Sequence, residues 1–183
     1  EFNSIMKRAL FIGRFQPFHN AHLIDIKNIL KEADEVIIAI GSSQEKDTLE
    51  NPFSYNERKQ MIIKTLKTHA IKRYKIYPIP DLYNDKKWVY YMKNNLPKYD
   101  IVYSGNKWTL KCFKKYDSKV KGIKLIKGIS STLIRNGMIN KRDWQKLVPK
   151  EVADYIKKIN GVERIRRISK HPLQKPLFFF AFL

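Results

Sequence analysis

The chain has 183 residues and a formal net charge of +20, because 37 lysine and arginine side chains stand against 17 acidic ones. This length allows one domain with a substantial core. No apolar run reaches the roughly 18 residues of a membrane-spanning helix, which argues against an integral membrane protein. Cys112 is the single cysteine, so an intramolecular disulfide is excluded and a reducing, cytoplasmic location is expected. We expect Met6 to be the native start and residues 1–5 to be a remnant of cloning.

Apolar runs alternate with amphipathic segments along the chain. The runs that predict strands are residues 9–12, 35–40, 75–80, 101–103 and 122–126. Prolines in the third run predict a sheet edge or a strand end. Helical patterns lie between the runs; one opens with the capping-box pair Ser54 and Glu57, and the helix after Pro149 is expected to end at Gly161. The alternation predicts an α/β fold, with a Rossmann-like, doubly wound, mainly parallel five-stranded sheet and C-terminal helices.

The segment Gly13–His22 lies where the first strand gives way to the first helix. Backbone N–H groups and the helix dipole favour an anion at such a place, and Gly13 lets the backbone approach a ligand closely. His19 and His22 are three residues apart, so they share one face of the helix start. The arrangement favours a phosphate-rich ligand over ordinary capping or solvated histidines. A zinc site is the less favoured alternative, because the further candidate ligands are few: Cys112, His69 and His171.

A second pattern typical of anion binding spans Ser130–Arg135. Ser131 and Thr132 open a helix and Arg135 follows about one turn later, so hydroxyl groups, helix N–H groups and a guanidinium are expected to converge on one anion. The Ser-Ser-Thr run alone would be interpreted as an ordinary helix cap. Arg135 and the first motif together favour the functional interpretation. Because ligands of open α/β sheets bind beyond the carboxyl ends of the strands, both patterns are expected at that edge.

Several motifs together resemble one enzyme family. The run Gly13-Arg14-Phe15-Gln16-Pro17-Phe18-His19, followed by His22, resembles the signature of the archaeal-type nicotinamide-nucleotide adenylyltransferases, of the HxGH nucleotidyltransferase superfamily. Residues 129–135, Ile-Ser-Ser-Thr-Leu-Ile-Arg, resemble the family's second box. The family's other motifs occur here in its order: Gly41-Ser42, Glu50 to Phe53, Glu57-Arg58, Trp88-Val89, Tyr103 to Asn106 and Asn160 to Arg164. The resemblance predicts one nucleotidyltransferase domain over residues 6–169 and leaves the tail, residues 170–183, without a role.

The resemblance implies adenylyl transfer from ATP to nicotinamide mononucleotide, which gives NAD and pyrophosphate. The implied catalytic residues are His19, His22, Arg135 and Arg14. The implied ATP-binding residues are Gly13, Arg14, Phe15, Gln16, His19, His22, Ser104, Gly105, Ser130, Ser131, Thr132 and Arg135. The implied residues for nicotinamide mononucleotide are Gly41, Ser42, Asn84 and Trp88. Magnesium is expected on substrate oxygens, with no metal ligand from protein side chains. The resemblance also implies a homo-oligomer, which in this family is commonly a hexamer.

Three positions depart from the family's pattern. Ala21 stands where the family usually has glycine, so a methyl group narrows the approach of the backbone to the nucleotide. The loop 44–48 differs from the family's usual Lys-Ser-His-Thr type, which leaves its phosphate contacts open. The family often has asparagine at the position that Asp85 occupies here, whereas in this chain the asparagine, Asn84, comes one residue earlier. From the sequence alone, Trp88 is as consistent with a core aromatic residue as with a residue that stacks on the nicotinamide ring.

Two other functions remain as alternatives. The first is a related nucleotidyltransferase with a flavin, pantetheine or sugar-phosphate acceptor. The second is a basic nucleic-acid-binding module, since residues 101–183 carry 20 of the 37 basic but only 5 of the 17 acidic side chains. The lysines are scattered and lack the interleaved aromatics that stack bases, so nucleic acid is the less favoured partner.

Overall fold

The computed structural model describes residues 6–170. The expectations about residues 1–5, His171 and the rest of the tail lie outside this range. Five strands form one parallel sheet in the order β3-β2-β1-β4-β5. The strands are β1 (Arg8–Gly13), β2 (Glu35–Ile40), β3 (Tyr74–Pro78), β4 (Ile101–Ser104) and β5 (Val120–Gly122). The predicted fold class is confirmed, and β3 lies at the sheet edge that its prolines predict.

Within residues 6–170, seven α-helices flank this sheet. They are α1 (Asn20–Glu32), α2 (Tyr55–Thr68), α3 (Asp85–Asn95), α4 (Lys107–Lys115), α5 (Ser131–Ile139), α6 (Lys150–Lys158) and α7 (Gly161–Lys170), with a short 3-10 helix at Gln145–Leu147. The capping box of α2 forms as predicted: the Ser54 hydroxyl accepts from the Glu57 N–H at 3.3 Å, and the Glu57 carboxylate accepts from the Ser54 N–H at 2.9 Å. No helix within residues 6–170 is long and apolar enough to cross a bilayer.

Side chains of the central strand alternate between two cores. Ala9 and Phe11 belong to a core covered by α1, α2, α5, α6 and α7, whereas Leu10 and Ile12 belong to a core covered by α3 and α4. The winding of the chain reverses between β1 and β4, which are neighbours in the sheet. Their connections therefore leave on opposite faces and open a crevice beyond their carboxyl ends, where ligands of such sheets bind.

The fifth strand differs from its prediction. It ends at Gly122, where the predicted strand begins, and residues 123–126 have no regular structure. The strand is short because β5 lies at the edge of the sheet and pairs with β4 over only three residues. The apolar side chains of Ile123, Leu125 and Ile126, which produced the strand-like pattern, line a cavity instead of a sheet.

Gly161 has a different role from the predicted helix stop. The left-handed residue after α6 is Asn160, with φ of 52°, and Gly161 begins α7. A β-carbon on Gly161 would lie 2.9 Å from the ring of Phe53. Glycine is therefore required for close packing, and the turn itself is made by asparagine, which tolerates the left-handed region.

Candidate active site

Two adjoining cavities open beyond the carboxyl ends of the central strands. The larger, about 320 Å³, is lined by Gly13, Arg14, His19, His22, Gly41, Ser42, Ser104 to Asn106, Ile123 to Ile126, Ile129 and Ser130, among others. The smaller, about 200 Å³, is lined by Asp81 to Asp85, Trp88 and Trp108. Asp81, Trp88 and Trp108 line both cavities. The two main sequence patterns thus meet at the edge where they were predicted, with room beside them for a second ligand group.

The two histidines of the first motif form a stacked pair at the start of α1. His19 occupies the N-cap position, and its backbone N–H donates to Nδ1 of His22 at 3.2 Å. The ring centroids are 3.5 Å apart and the planes are inclined by 13°. Since Nδ1 of His22 accepts this bond, the neutral ring carries its proton on Nε2. His22 packs edge-on against Phe15, and Phe11 and Phe18 lie close by.

Burial keeps both imidazoles neutral at physiological pH. It lowers the pKa of His19 to about 4, although a backbone hydrogen bond acts in the opposite direction. Burial also lowers the pKa of His22 well below its ordinary value, and repulsion from His19 adds to that effect. Nδ1 of His19 is buried without a hydrogen-bond partner among residues 6–170. A buried polar atom at a helix N-terminus marks a place for a ligand to supply the missing partner.

Arg14 and Arg135 differ in exposure. The side chain of Arg14 is half-exposed, lines the larger cavity and lies 3.9 Å from the Glu50 carboxylate. Arg135 is buried: Nη1 donates to the carbonyl oxygen of Gln16 at 2.8 Å and Nη2 donates to the Thr132 hydroxyl at 3.4 Å. Burial lowers the pKa of Arg135, and Arg14 acts in the same direction. Backbone of the first motif thus holds part of the Arg135 guanidinium, and the anion contact expected of this residue stays a prediction.

The start of α5 contacts the first motif more than the cavity. Ser130 lines the larger cavity and caps the helix, accepting from the Leu133 N–H at 3.2 Å. The Ser131 hydroxyl donates to the carbonyl oxygen of Pro17 at 3.1 Å. Of the predicted serine, threonine and arginine set, Ser130 alone is among the residues that line the cavity. The ligand contacts expected of Ser131 and Thr132 stay predictions.

Phe15 and Gln16 are buried parts of the framework. The Gln16 side chain donates to the carbonyl oxygen of Phe53 at 2.7 Å and accepts from its N–H at 3.0 Å, which ties the first motif to the segment before α2. The Phe15 ring lies so close that a β-carbon on Gly13 would be 3.0 Å from it. Packing against Phe15 therefore disfavours a larger residue at position 13. Any contact of Phe15 or Gln16 with ATP would have to come from backbone atoms.

Ser104 and Gly105 shape the opposite wall of the crevice. The Ser104 hydroxyl donates to the carbonyl oxygen of Ile12 at 3.3 Å and accepts from the Asn106 N–H at 3.2 Å, which joins the ends of β4 and β1. A β-carbon on Gly105 would lie 3.2–3.3 Å from side-chain carbons of Ile123 and Leu125. Glycine at this position keeps the aliphatic wall of the larger cavity close to the strand ends.

The residues predicted for the nicotinamide side are divided between the cavities. Gly41 and Ser42 line the larger one, and Asn84, which caps α3 by accepting from the Lys87 N–H at 2.9 Å, lines the smaller one. Trp88 is 7% exposed, packs in the core and lines both cavities, so its core role is confirmed and its stacking on a nicotinamide ring stays a prediction. Trp108, which the sequence did not single out, is 50% exposed and lies 5.3 Å from Trp88 between ring centroids.

Arg58 is a second residue that sequence reasoning left without a role. It is fully buried and donates to four backbone carbonyls, those of Arg14 at 2.8 Å, Gly41 at 2.7 Å, Ser42 at 3.0 Å and Ser54 at 3.3 Å. It therefore ties the loops after β1 and β2 to the start of α2. Burial lowers the pKa of Arg58 to about 10, with repulsion from Arg14 as a smaller cause. The available signal was a charged residue on the core-facing side of α2, in register with Met61 and Ile62.

Comparison with known proteins shows which family the chain belongs to. The cytidylyltransferase-like family profile matches residues 10–137. A nicotinamide-nucleotide adenylyltransferase of Pyrococcus furiosus is 42% identical over 183 residues, covering 94% of this chain and 97% of the relative. The chain belongs to the nicotinamide-nucleotide adenylyltransferase family. A member of this adenylyltransferase family from Methanococcus aeolicus is 45% identical over 164 residues, covering 88% of this chain and 95% of the relative. The resemblance inferred from the motifs is confirmed.

Solved structures of adenylyltransferases share the fold. A bifunctional NMN adenylyltransferase/ADP-ribose pyrophosphatase from Francisella tularensis, solved with AMP and a manganese ion, matches with a TM-score of 0.75 at 25% identity. The match covers 91% of this chain and 53% of the other, so this chain spans about half the length of the bifunctional protein. A nicotinic acid mononucleotide adenylyltransferase from Plasmodium falciparum matches with a TM-score of 0.60 at 14% identity, which supports the fold alone.

Proposed function

We propose that this chain transfers the adenylyl group of ATP to the 5′-phosphate of nicotinamide mononucleotide. An oxygen of the mononucleotide phosphate attacks the α-phosphorus of ATP, the bond from that phosphorus to the bridging oxygen breaks, and pyrophosphate leaves as NAD forms. No protein nucleophile is needed. Positioning and stabilisation of charge carry the rate in such transfers.

The observation that carries the proposal is the stacked histidine pair at the N-terminus of α1. Both rings line the larger cavity, and both are neutral at pH 7 because burial lowers their pKa values. With its proton on Nε2, His22 donates to a phosphate oxygen while the helix N-terminus adds its partial positive charge. Arg14, half-exposed at the same cavity, supplies a full positive charge for the leaving pyrophosphate. Arg135 orders the loop that carries these groups by binding Gln16.

The two adjoining cavities match the two parts of the reaction. The larger one, with the histidines and an aliphatic wall, suits ATP. The smaller one, bounded by Trp88, Trp108 and the Asn84 helix cap, suits a planar nicotinamide ring, which stacks on aromatic faces. Gly41 and Ser42, where β2 ends, would adjoin the phosphate of the acceptor.

Magnesium belongs to this proposal as a companion of ATP. Residues 6–170 contain no group of three or more histidine, cysteine, aspartate or glutamate side chains that could hold a metal ion. Magnesium that arrives on phosphate oxygens keeps several water ligands, so it needs few ligands from the protein. When bound, the cation would neutralise charge on the phosphates, and the protein side chains would orient the same phosphates.

The decisive experiment is an assay of dinucleotide formation from ATP and nicotinamide mononucleotide, with flavin, pantetheine and sugar phosphates as competing acceptors. His22→Ala is expected to lower kcat by ~100–1000-fold, the usual loss of one preorganised donor. His69→Ala is the matched control, since His69 is an exposed histidine at the end of α2. Preferred turnover of another acceptor would reassign the substrate. Oligonucleotide binding with a steep salt dependence and no turnover would favour the nucleic-acid function instead.

A further inference from the structure

Asp25 is an acidic side chain inside the larger cavity, and the transfer chemistry above gives it no role. It lies on α1, lines the cavity and is 8% exposed. Its carboxylate accepts no hydrogen bond from residues 6–170, and no lysine, arginine or histidine among them forms an ion pair with it within 4.0 Å. Burial raises the pKa of Asp25 to about 6. Because Asp25 lines the cavity and its oxygens are not fully buried, water hydrates them in the free protein, and a ligand that displaces this water must supply a hydrogen-bond donor in its place.

The position of Asp25 on its helix selects one part of the nucleotide. It follows His22 by three residues, so the two side chains share a face, with Asp25 ~4.5 Å further along the axis. That displacement takes it away from the helix N-terminus, where the phosphates are expected. A carboxylate beside a triphosphate would repel it, so an Asp25 carboxylate displaced from the phosphate end of the cavity would suit the nucleoside part of the ligand better. The walls of the same cavity include Ile123, Ile126 and Ile129, which suit the faces of a purine.

We propose that Asp25 binds the nucleoside part of ATP by accepting a hydrogen bond from a ribose hydroxyl or from the adenine amino group. The inference rests on the proposed function, because it takes ATP as the occupant of this cavity. An ionised carboxylate is an acceptor only, and these hydroxyl and amino groups are the hydrogen-bond donors of the nucleoside. Asp25 would therefore bind the nucleoside, while His19, His22 and Arg14 bind the phosphates.

The test uses Asp25→Ala and Asp25→Asn with a set of ATP analogues. The analogues are 2′-deoxy-ATP, 3′-deoxy-ATP and purine riboside triphosphate, which lack one ribose hydroxyl, the other hydroxyl and the amino group respectively. Affinity is measured by calorimetry with each nucleotide alone, so the result does not depend on turnover. A hydrogen bond to a charged group is worth ~10- to 100-fold in affinity. We expect Asp25→Ala to weaken ATP binding by about that factor and Asp25→Asn, which keeps an acceptor oxygen, to weaken it less.

The analogues identify the donor and decide the inference. Wild-type protein should discriminate against one analogue, and Asp25→Ala should bind that analogue and ATP equally well. Asp143→Asn, on the exposed surface, is the matched control and should behave as wild type. Unchanged ATP affinity in Asp25→Ala, or identical discrimination in variant and wild type, overturns the inference. A changed magnesium requirement with unchanged nucleoside preference overturns it in favour of a metal contact. Absence of turnover in the wild type with normal ATP binding would instead refute the proposed function.

Discussion

The imidazole rings of His19 and His22 lie face to face, with their centroids 3.5 Å apart. Two imidazolium ions at that separation would repel each other strongly, and the surrounding phenylalanine rings offer no compensating charge. The pair therefore faces its ligand as two neutral donors. Negative charge from a bound phosphate would favour the protonated form and raise both pKa values, which links ligand binding to proton uptake.

This relationship predicts the titration of the free and bound protein. In the free protein, NMR titration of the ring protons should give a midpoint of about 4 for His19 and one well below 6.5 for His22. Saturation with ATP or pyrophosphate should move both midpoints upward. A midpoint near 6.5 for either ring in the free protein would show that the pair is not desolvated. Midpoints unmoved by pyrophosphate would show that the phosphates bind elsewhere.

Alanine variants of the two tryptophans should distinguish an effect on substrate binding from an effect on stability. Trp108→Ala is expected to raise the KM for nicotinamide mononucleotide by ~5- to 100-fold with little change in Tm, because the ring is half-exposed and stacking is worth ~1–3 kcal/mol. Trp88→Ala should raise the same KM and also lower stability by ~3–5 kcal/mol, since it leaves a cavity in the core. KM values for ATP, measured in the same assays, should change less in both variants.

An exposed aromatic outside the cavities provides the control for this pair. Tyr90 lies on α3, is partly exposed and packs against Tyr116. Tyr90→Ala should leave both KM values near those of the wild type. If Trp108→Ala leaves the KM for nicotinamide mononucleotide unchanged, the nicotinamide ring does not use the smaller cavity. If Trp88→Ala raises the KM values of both substrates equally, Trp88 contributes to core packing and not to binding of the nicotinamide ring.

Much of the site could be predicted because its position depends on local patterns. The strand–loop–helix pattern around Gly13–His22 placed both histidines at a helix start, and sheet topology then placed Ser104, Gly41 and Ser130 at the same edge. Those predictions needed only periodicity and the rule that parallel strands share their carboxyl edge. The pattern of residues 122–126 misled because apolar residues that line a cavity have the same sequence signature as a buried strand.

Contacts between segments far apart in the chain could not be predicted from the sequence. Arg135 and Gln16 are separated by 119 residues, and their hydrogen bond explains why the Arg135 guanidinium is not free in the cleft. The same holds for Arg58, which reaches back 44 residues to the carbonyl of Arg14. An arginine can bind either a phosphate or backbone carbonyl groups, and the sequence does not distinguish the two roles. The distances between the guanidinium and its neighbours in the folded chain do.

Arg58 should control both stability and acceptor binding. Arg58→Met removes the side-chain donor from four backbone carbonyls, two of which it binds in buried hydrogen bonds, and is expected to destabilise the fold by ~3–5 kcal/mol in urea unfolding. Arg58→Lys keeps the charge but loses the fork of donors, so a smaller loss is expected. In Arg58→Lys, assayed below its unfolding transition, the KM for nicotinamide mononucleotide should rise several-fold because the loop at Gly41 and Ser42 loosens.

Arg73 offers a matched control for Arg58. It also donates to three backbone carbonyls, those of Leu30, Ala33 and Asp34, but it is exposed and lies at the opposite edge of the sheet. Arg73→Met should lower stability by less than Arg58→Met and leave both KM values unchanged. If Arg73→Met and Arg58→Lys raise the KM equally, the effect of Arg58 is general destabilisation and not positioning of the loops.

Asp25 and the two histidines contribute with opposite signs to the pH dependence of stability. The pKa of Asp25 is raised from 3.8 to about 6, so between these values the folded protein holds a proton that the unfolded chain has lost, and stability falls as pH rises. The pKa of His19 is lowered from 6.5 to about 4, so in that window the unfolded chain holds the extra proton, and stability rises with pH. His22 acts in the same direction as His19. In the wild type these slopes partly cancel.

Asp25→Asn removes one of the opposing contributions and leaves the other. Burial disfavours the carboxylate form of Asp25, so the amide, which keeps the volume, should stabilise the fold by about 1 kcal/mol at pH 7.5. At pH 4 the two proteins should be equally stable, and between pH 4 and 6.5 the variant should show the steeper rise that the histidines impose. Urea unfolding at pH 4, 5, 6 and 7.5 measures both effects, with Asp143→Asn as a surface control expected to stay within ~0.5 kcal/mol of the wild type. Equal stability of Asp25→Asn and wild type at pH 7.5 would mean that the carboxylate is already compensated in the free protein, and the reason to expect a ligand donor at this position would be lost with it.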